Sequence, residues 1–139
     1  MKFVIYTDGG ARGNPGPAGI GVVIQTVDKK VLKKIDKYLG ADKTNNQAEY
    51  TAVIEALQAA RELGGTHLEF RMDSELAVRQ LNHVYKVKNK DLQELFIQVK
   101  NLQTEFSHVT FTHIPRAQNT AADKLVNEAI DRNISSSSH

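Results

Sequence analysis

The chain has 139 residues, 40% of them hydrophobic and 24% charged, and its 18 basic and 16 acidic side chains leave a net charge of +2; the mean hydropathy is −0.40 and the pI about 8.8. That length suits one domain with a sizeable core, and the near balance of charge excludes a protein that wraps nucleic acid by bulk attraction, so any polyanion has to be held by locally placed groups. The absence of cysteine excludes disulfides and thiolate metal sites.

The apolar run at residues 3–6 gives way at once to Thr7-Asp8-Gly9-Gly10, which is unlike a signal peptide, and no stretch approaches the ~20 apolar residues of a membrane span. A cytoplasmic protein without membrane attachment is expected. Residues 3–7 predict a short buried strand, and the Gly- and Pro-rich segment 8–17 predicts loop. Residues 19–27 and 31–39 predict two more strands, joined by the short turn Asp28-Lys29-Lys30 into an antiparallel meander with the first. Thr44 and Gln47 then make a capping box at the start of a helix. Its apolar stripe, Ala52, Val53, Ala56, Leu57 and Ala60, also carries one acid, Glu49, and Gly64-Gly65 stops it.

Residues 68–73 alternate apolar with polar and predict a fourth strand ending at Asp73. Ser74 caps a short helix that runs to about residue 81. The stretch 83–90 reads as loop and holds Lys86, Lys88 and Lys90 with no acid. Asp91 and Glu94 open another helix, with Leu92, Leu95, Phe96, Val99 and Leu102 on a face suited to core packing. Residues 109–114 predict a fifth strand, broken by Pro115. Residues 119–131 predict a last helix with the stripe Ala122, Leu125, Val126 and Ala129 and with Asp123 at its border. One domain over residues 1–133 and a disordered tail at 134–139 are expected. Three strands followed by helix, strand, helix, helix, strand and helix predict a mixed α/β fold, whose sites form beyond the carboxyl ends of parallel strands.

Four carboxylates stand out against this pattern. Asp8 and Asp73 follow hydrophobic strands, and Glu49 and Asp123 lie on or beside apolar stripes. Carboxylates are seldom buried without a partner, and several converging on one place usually need a cation. Without a His or Cys cluster at zinc spacing, an all-oxygen set suits Mg²⁺ or Mn²⁺. Two such ions about 4 Å apart are the arrangement that hydrolyses phosphodiesters. Each acid also has an ordinary explanation: Asp8 as a turn former, Glu49 as a helix-dipole acid, Asp73 with Ser74 as a cap, Asp123 as a first-turn acid. These explanations would all have to coincide. His67, His83, His108 and His139 read as surface residues.

Tyr6-Thr7-Asp8-Gly9-Gly10 with Gly13-Asn14-Pro15-Gly16, then Thr44-Asn45-Asn46-Gln47-Ala48-Glu49, Met72-Asp73-Ser74 and Asn119-Thr120-Ala121-Ala122-Asp123 together resemble type 1 ribonuclease H, in order, from residue 3 to about residue 130. The resemblance implies a ribonuclease H-like fold, a five-stranded mixed sheet of three antiparallel strands and then two parallel ones, flanked by helices on both faces. It implies a monomeric endoribonuclease that cuts the RNA strand of RNA–DNA hybrids with two Mg²⁺ or Mn²⁺ ions and leaves 3′-hydroxyl and 5′-phosphate ends. Asp8 would bridge both ions, Glu49 and Asp73 would complete the ion at the leaving group, and Asp123 the ion at the attacking water. Glu49 would also lie near the RNA 2′-hydroxyl. Gly9, Asn14 and Asn45 match contacts to the RNA minor groove, and Thr44 with Asn45 a DNA-phosphate contact at a helix N-terminus, where free N–H groups favour anions. Double-stranded RNA, which shares A-form geometry in part, is compatible as a second substrate.

Three departures matter. The basic, Trp-bearing protrusion of some members is missing, so Lys86 and Lys88 are left as partial substitutes and hybrid binding is expected to be weaker and more salt-sensitive. Glu75 stands where a Gln often follows Asp-Ser. The mobile His loop before the last helix is represented only by His113 and Arg116, either of which would assist proton transfer or product release. Two alternatives stand beside the enzyme. A catalytically silent nucleic-acid-binding module of the same fold would lack at least one acid, and none is missing. A related superfamily nuclease of integrase-like or junction-cleaving type is disfavoured by the Asn14-Pro15-Gly16 and Thr44-Asn45-Asn46 segments.

Overall fold

The computed structural model describes the backbone of residues 1–137 and the side chains through residue 134. The elements run β1 (Lys2–Ala11), β2 (Gly16–Thr26), β3 (Val31–Lys43), α1 (Asn45–Glu62), β4 (His67–Met72), α2 (Glu75–Leu81), α3 (Lys90–Gln103), β5 (His108–His113) and α4 (Thr120–Ser137), with a 3-10 turn at Arg116–Gln118. The strands form one sheet in the order β3-β2-β1-β4-β5. β1–β2 and β2–β3 are antiparallel, and β1–β4 and β4–β5 are parallel. The expected mixed sheet is present, with α1 and α3 stacked over one face and α4 over the β1–β3 half of the other.

The capping box at α1 forms as predicted: Gln47 N–H donates to Thr44 Oγ1 at 3.1 Å, and Thr44 N–H donates to Gln47 Oε1 at 2.9 Å. Helix α1 is buried on more than its predicted stripe, because Tyr50, Ile54 and Ala59 are buried as well as Ala52, Val53, Ala56, Leu57 and Ala60. The physical reason is α3, which lies against α1 and converts a one-sided helix into a central one. Phe3, Ile5, Ile20, Ile24 and Phe70 from the sheet complete that core.

Two expectations need correction. Residues 8–11 and 16–18 are strand and not loop, because β1 and β2 keep pairing from Phe3↔Thr26 to Ala11↔Ala18. A ladder partner satisfies the backbone whatever the local propensity, so only residues 12–15 are left to turn, closed by Arg12 N–H to Pro17 O at 2.8 Å. The last helix also continues beyond residue 131 to Ser137. Ile130 is buried with Ala122, Val126 and Ala129, and no Gly or Pro interrupts the turns that follow. The expected disordered tail therefore overlaps helix at 134–137, and its last two positions lie outside the described residues. Among the described residues no helix is long and apolar enough to cross a membrane.

Candidate active site

The parallel pairing of β1 with β4 stops at Thr7↔Met72. The next residue on each strand is an acid, Asp8 on β1 and Asp73 after β4. Beyond this point β1 runs on beside β2 alone, so both carboxylates stand at the carboxyl end of the parallel half of the sheet, where α/β folds place their sites.

Glu49 arrives from the first turns of α1 and Asp123 from the first turn of α4, and two glycines allow each helix to approach. A Cβ on Gly9 would overlap the Ala48 carbonyl and the Glu49 nitrogen. A Cβ on Gly21, the β2 partner of Asp8, would overlap the Ala122 carbonyl oxygen. Each helix thus touches the sheet backbone at the position beside its acid. All four carboxylates line a single open pocket of about 390 Å³.

Burial and mutual repulsion govern their charge. Desolvation, then Asp73 and Asp123, push Asp8 from 3.8 up to about 8. Burial raises Glu49 from 4.5 to about 7, with the Ser74 hydroxyl pulling the other way and Asp73 adding to the rise. Asp73 is raised by burial, against an opposing hydrogen bond from Asn119 and the nearby positive charge of Arg116. Glu49 Oε2 is buried with no hydrogen-bond partner. An orphaned carboxylate oxygen, acids pushed toward neutrality and an all-oxygen donor set fit a hard divalent cation. Among the described residues no three such side chains already close on one point, so an ion here would take its remaining ligands from water or a substrate phosphate, as Mg²⁺ commonly does.

Asn119 is the site residue that sequence reasoning overlooked. Its side chain is 1% exposed and donates from Nδ2 to Thr7 O, the carbonyl before Asp8, at 2.9 Å, while also standing beside Asp73. The available signal was an Asn at the N-terminus of the helix that carries Asp123. Arg12 was overlooked as well. It lines the pocket and is tied to α4 through Asp131 at 2.6 Å and Asn127 at 3.1 Å.

Arg116 also lines the pocket, 82% exposed, with Nη2 3.8 Å from Asp123 Oδ1. His113 does not line it, although its position opposite Met72 on β5 leaves it close enough to favour the charged form of Asp73. Gly9 and Asn45 are pocket residues. Asn45 opens into an adjoining cleft of about 590 Å³ that also holds Asn14 and Thr44.

The free N–H groups expected at the start of α1 are reduced to that of Asn46. Besides the capping box, Asn45 N–H donates to Asn14 Oδ1 at 3.0 Å, and Asn45 Oδ1 accepts from Ala11 N–H at 2.7 Å. Asn14 therefore takes one first-turn N–H of the helix, and Asn46 N–H and Asn45 Nδ2 are left to offer a ligand. Lys86 and Lys88 are exposed and line neither space. Lys86 borders a separate apolar groove with Tyr85, Phe96 and Ile97. Glu75 is occupied by Arg79 at 2.8 Å. His67, His83 and His108 are exposed as expected, and His139 lies outside the described residues.

A family model described as reverse transcriptase-like matches residues 6–129. A bifunctional protein of Mycobacterium tuberculosis is 44% identical over 131 residues, covering 94% of this chain and 36% of that protein. Ribonuclease HI of Halobacterium salinarum is 42% identical over 126 residues, covering 91% of this chain and 63% of that enzyme. The chain thus spans about a third to two thirds of the length of these relatives. Among solved structures, LC11-RNase H1 in complex with RNA/DNA hybrid superposes with a TM-score of 0.90 at 49% identity, covering 95% of this chain and 99% of that one.

Proposed function

The chain belongs to the ribonuclease H family, and on that premise we propose that it hydrolyses the RNA strand of RNA–DNA hybrids with two Mg²⁺ or Mn²⁺ ions, leaving 3′-hydroxyl and 5′-phosphate ends. The observation that carries this reading is the convergence of Asp8, Glu49, Asp73 and Asp123 on one pocket, with an unpartnered buried carboxylate oxygen among them. Bound there, the two ions would supply a water nucleophile at neutral pH and charge stabilisation at the leaving oxygen.

The residues would divide the work by position. Asp8, central in the repulsion among the acids, would be shared between the ions. Glu49 and Asp73 would hold the leaving-group side and Asp123 the water side. Asn119 holds the end of β1 through its Nδ2 hydrogen bond to Thr7 O and stands beside Asp73. Arg116, over the pocket and weakly engaged by Asp123, is the better placed of the two candidates to attend the departing phosphate; His113 stands further back. Gly9, Asn14, Thr44 and Asn45 would border the hybrid, with Lys86 and Lys88 adding charge along the DNA strand. Asp42 and Asp91 in the adjoining cleft oppose phosphate there, which argues for a modest affinity.

The test uses labelled RNA–DNA hybrid, RNA duplex and DNA duplex, each with Mg²⁺, with Mn²⁺ and with chelator. Metal-dependent cutting within the RNA strand of the hybrid is expected. Hybrid that stays intact under every condition rejects the enzyme and favours a silent binding module.

A further inference from the structure

At the end of the sheet opposite the carboxylate pocket, β4 and β5 begin with two histidines in register, His67 and His108. Leu68, Phe70 and Met72 of β4 are buried in the core, so strand alternation turns His67 to the other face. Helix α4 lies over β1–β3 on that face and leaves the β4–β5 half open. Both imidazoles are exposed and stand side by side, with ring centroids 6.3 Å apart and planes at 40°. They border a depression of about 170 Å³ with Lys2, Glu69 and Thr110.

Hydrogen bonding engages one nitrogen of one ring. The Thr66 hydroxyl lies 3.0 Å from His67 Nδ1 and 3.2 Å from Met1 O, and its oxygen accepts from the Met1 ammonium at 2.9 Å. That contact occupies His67 Nδ1, and Nε2 is the nitrogen left for a ligand. A ligand imidazole held through its other nitrogen is the usual outer-shell arrangement of a metal site.

We propose that His67 and His108 form a two-imidazole site for a borderline divalent transition-metal ion, Zn²⁺, Ni²⁺ or Cu²⁺, completed by water. Imidazole suits these ions, whereas carboxylate and water suit Mg²⁺ and Mn²⁺, so the site is chemically distinct from the acidic pocket. Each ring nitrogen has to come within about 2.0–2.1 Å of the ion, and rings with centroids 6.3 Å apart lie within reach of one shared ion. Glu69 is held by Arg71 at 2.7 Å, and among the described residues no third His, Asp or Glu closes on the pair. The site is therefore open and exchangeable. Binding would clip the starts of two parallel strands together in the folded chain only, and so stabilise it.

The experiment titrates the intact chain with Zn²⁺ or Ni²⁺ and with Mg²⁺, following melting temperature and histidine ring NMR signals. A saturable rise in melting temperature with shifts at His67 and His108 is expected from the transition metals, and no ring shift from Mg²⁺. The effect should vanish in His67→Ala and in His108→Ala, both exposed positions that fold without strain, and persist in Asp8→Asn. Thr66→Val should weaken the affinity by about tenfold. If both single histidine variants keep the full response, or if only signals from the carboxylate pocket move, the site does not exist.

Discussion

Asp8 has to be ionised to hold a cation, yet its surroundings oppose ionisation through burial and through three neighbouring acids. Asp8→Asn removes the repulsion and the ligand together. Cleavage should fall to background while the metal-free melting temperature at pH 9 rises, by roughly 4 °C for each kcal/mol of repulsion relieved; loss of cleavage with a lower melting temperature would mean that Asp8 is structural. Asn119 acts through others. Its buried Nδ2 holds Thr7 O, so Asn119→Ala should raise the metal concentration needed for half-maximal rate by about tenfold or more and leave KM for hybrid little changed. A matching loss in KM would instead point to contact with substrate. Arg116→Ala should cost more turnover than His113→Ala, because Arg116 borders the pocket and His113 does not; steady-state rates of the two variants decide the order.

The elements bring the acids together through contacts between helix and sheet backbones. Gly9→Ala and Gly21→Ala each insert a methyl group where Ala48 or Ala122 already packs, so one helix must lift at Glu49 or at Asp123. Overpacking of this kind costs about 1–3 kcal/mol. In urea melts paired with activity assays on the fully folded fraction, activity should drop further than stability does, and a variant that keeps full activity would show that helix approach is not limiting. Much of this scale was legible in the residues. The Thr44–Gln47 box, the alternation in residues 68–72 and the Pro115 break each act locally and appear where expected. What could not be read locally depends on partners distant in the chain. The Gly-rich residues 8–11 are strand only because β2 offers a ladder, and Tyr50 is buried between α2 and α3, its hydroxyl donating to Gln80 and its ring beside Phe96. Asn119 looked like a helix start, and its tie to Thr7 spans 112 residues.

For the molecule as a whole, the near-neutral total charge means that stability against pH turns on a few buried groups. Asp8 rises from 3.8 to about 8 and Glu49 from 4.5 to about 7 on folding. The folded chain therefore binds these protons more tightly than the unfolded chain, and stability must fall as pH rises between the two sets of values. Their contribution is fully present below about pH 4 and is lost as pH climbs through 7 to 8. In chelator, calorimetry from pH 5 to pH 9 should show a steadily falling melting temperature, and Asp8→Asn should flatten most of the slope. Millimolar Mg²⁺ should restore stability chiefly at the alkaline end, because the ion binds the ionised acids of the folded state and competes with their protons. A metal-free melting temperature that rises across pH 5 to 9 would mean that the four carboxylates do not share one low-dielectric pocket, and the two-ion reading would lose its electrostatic basis.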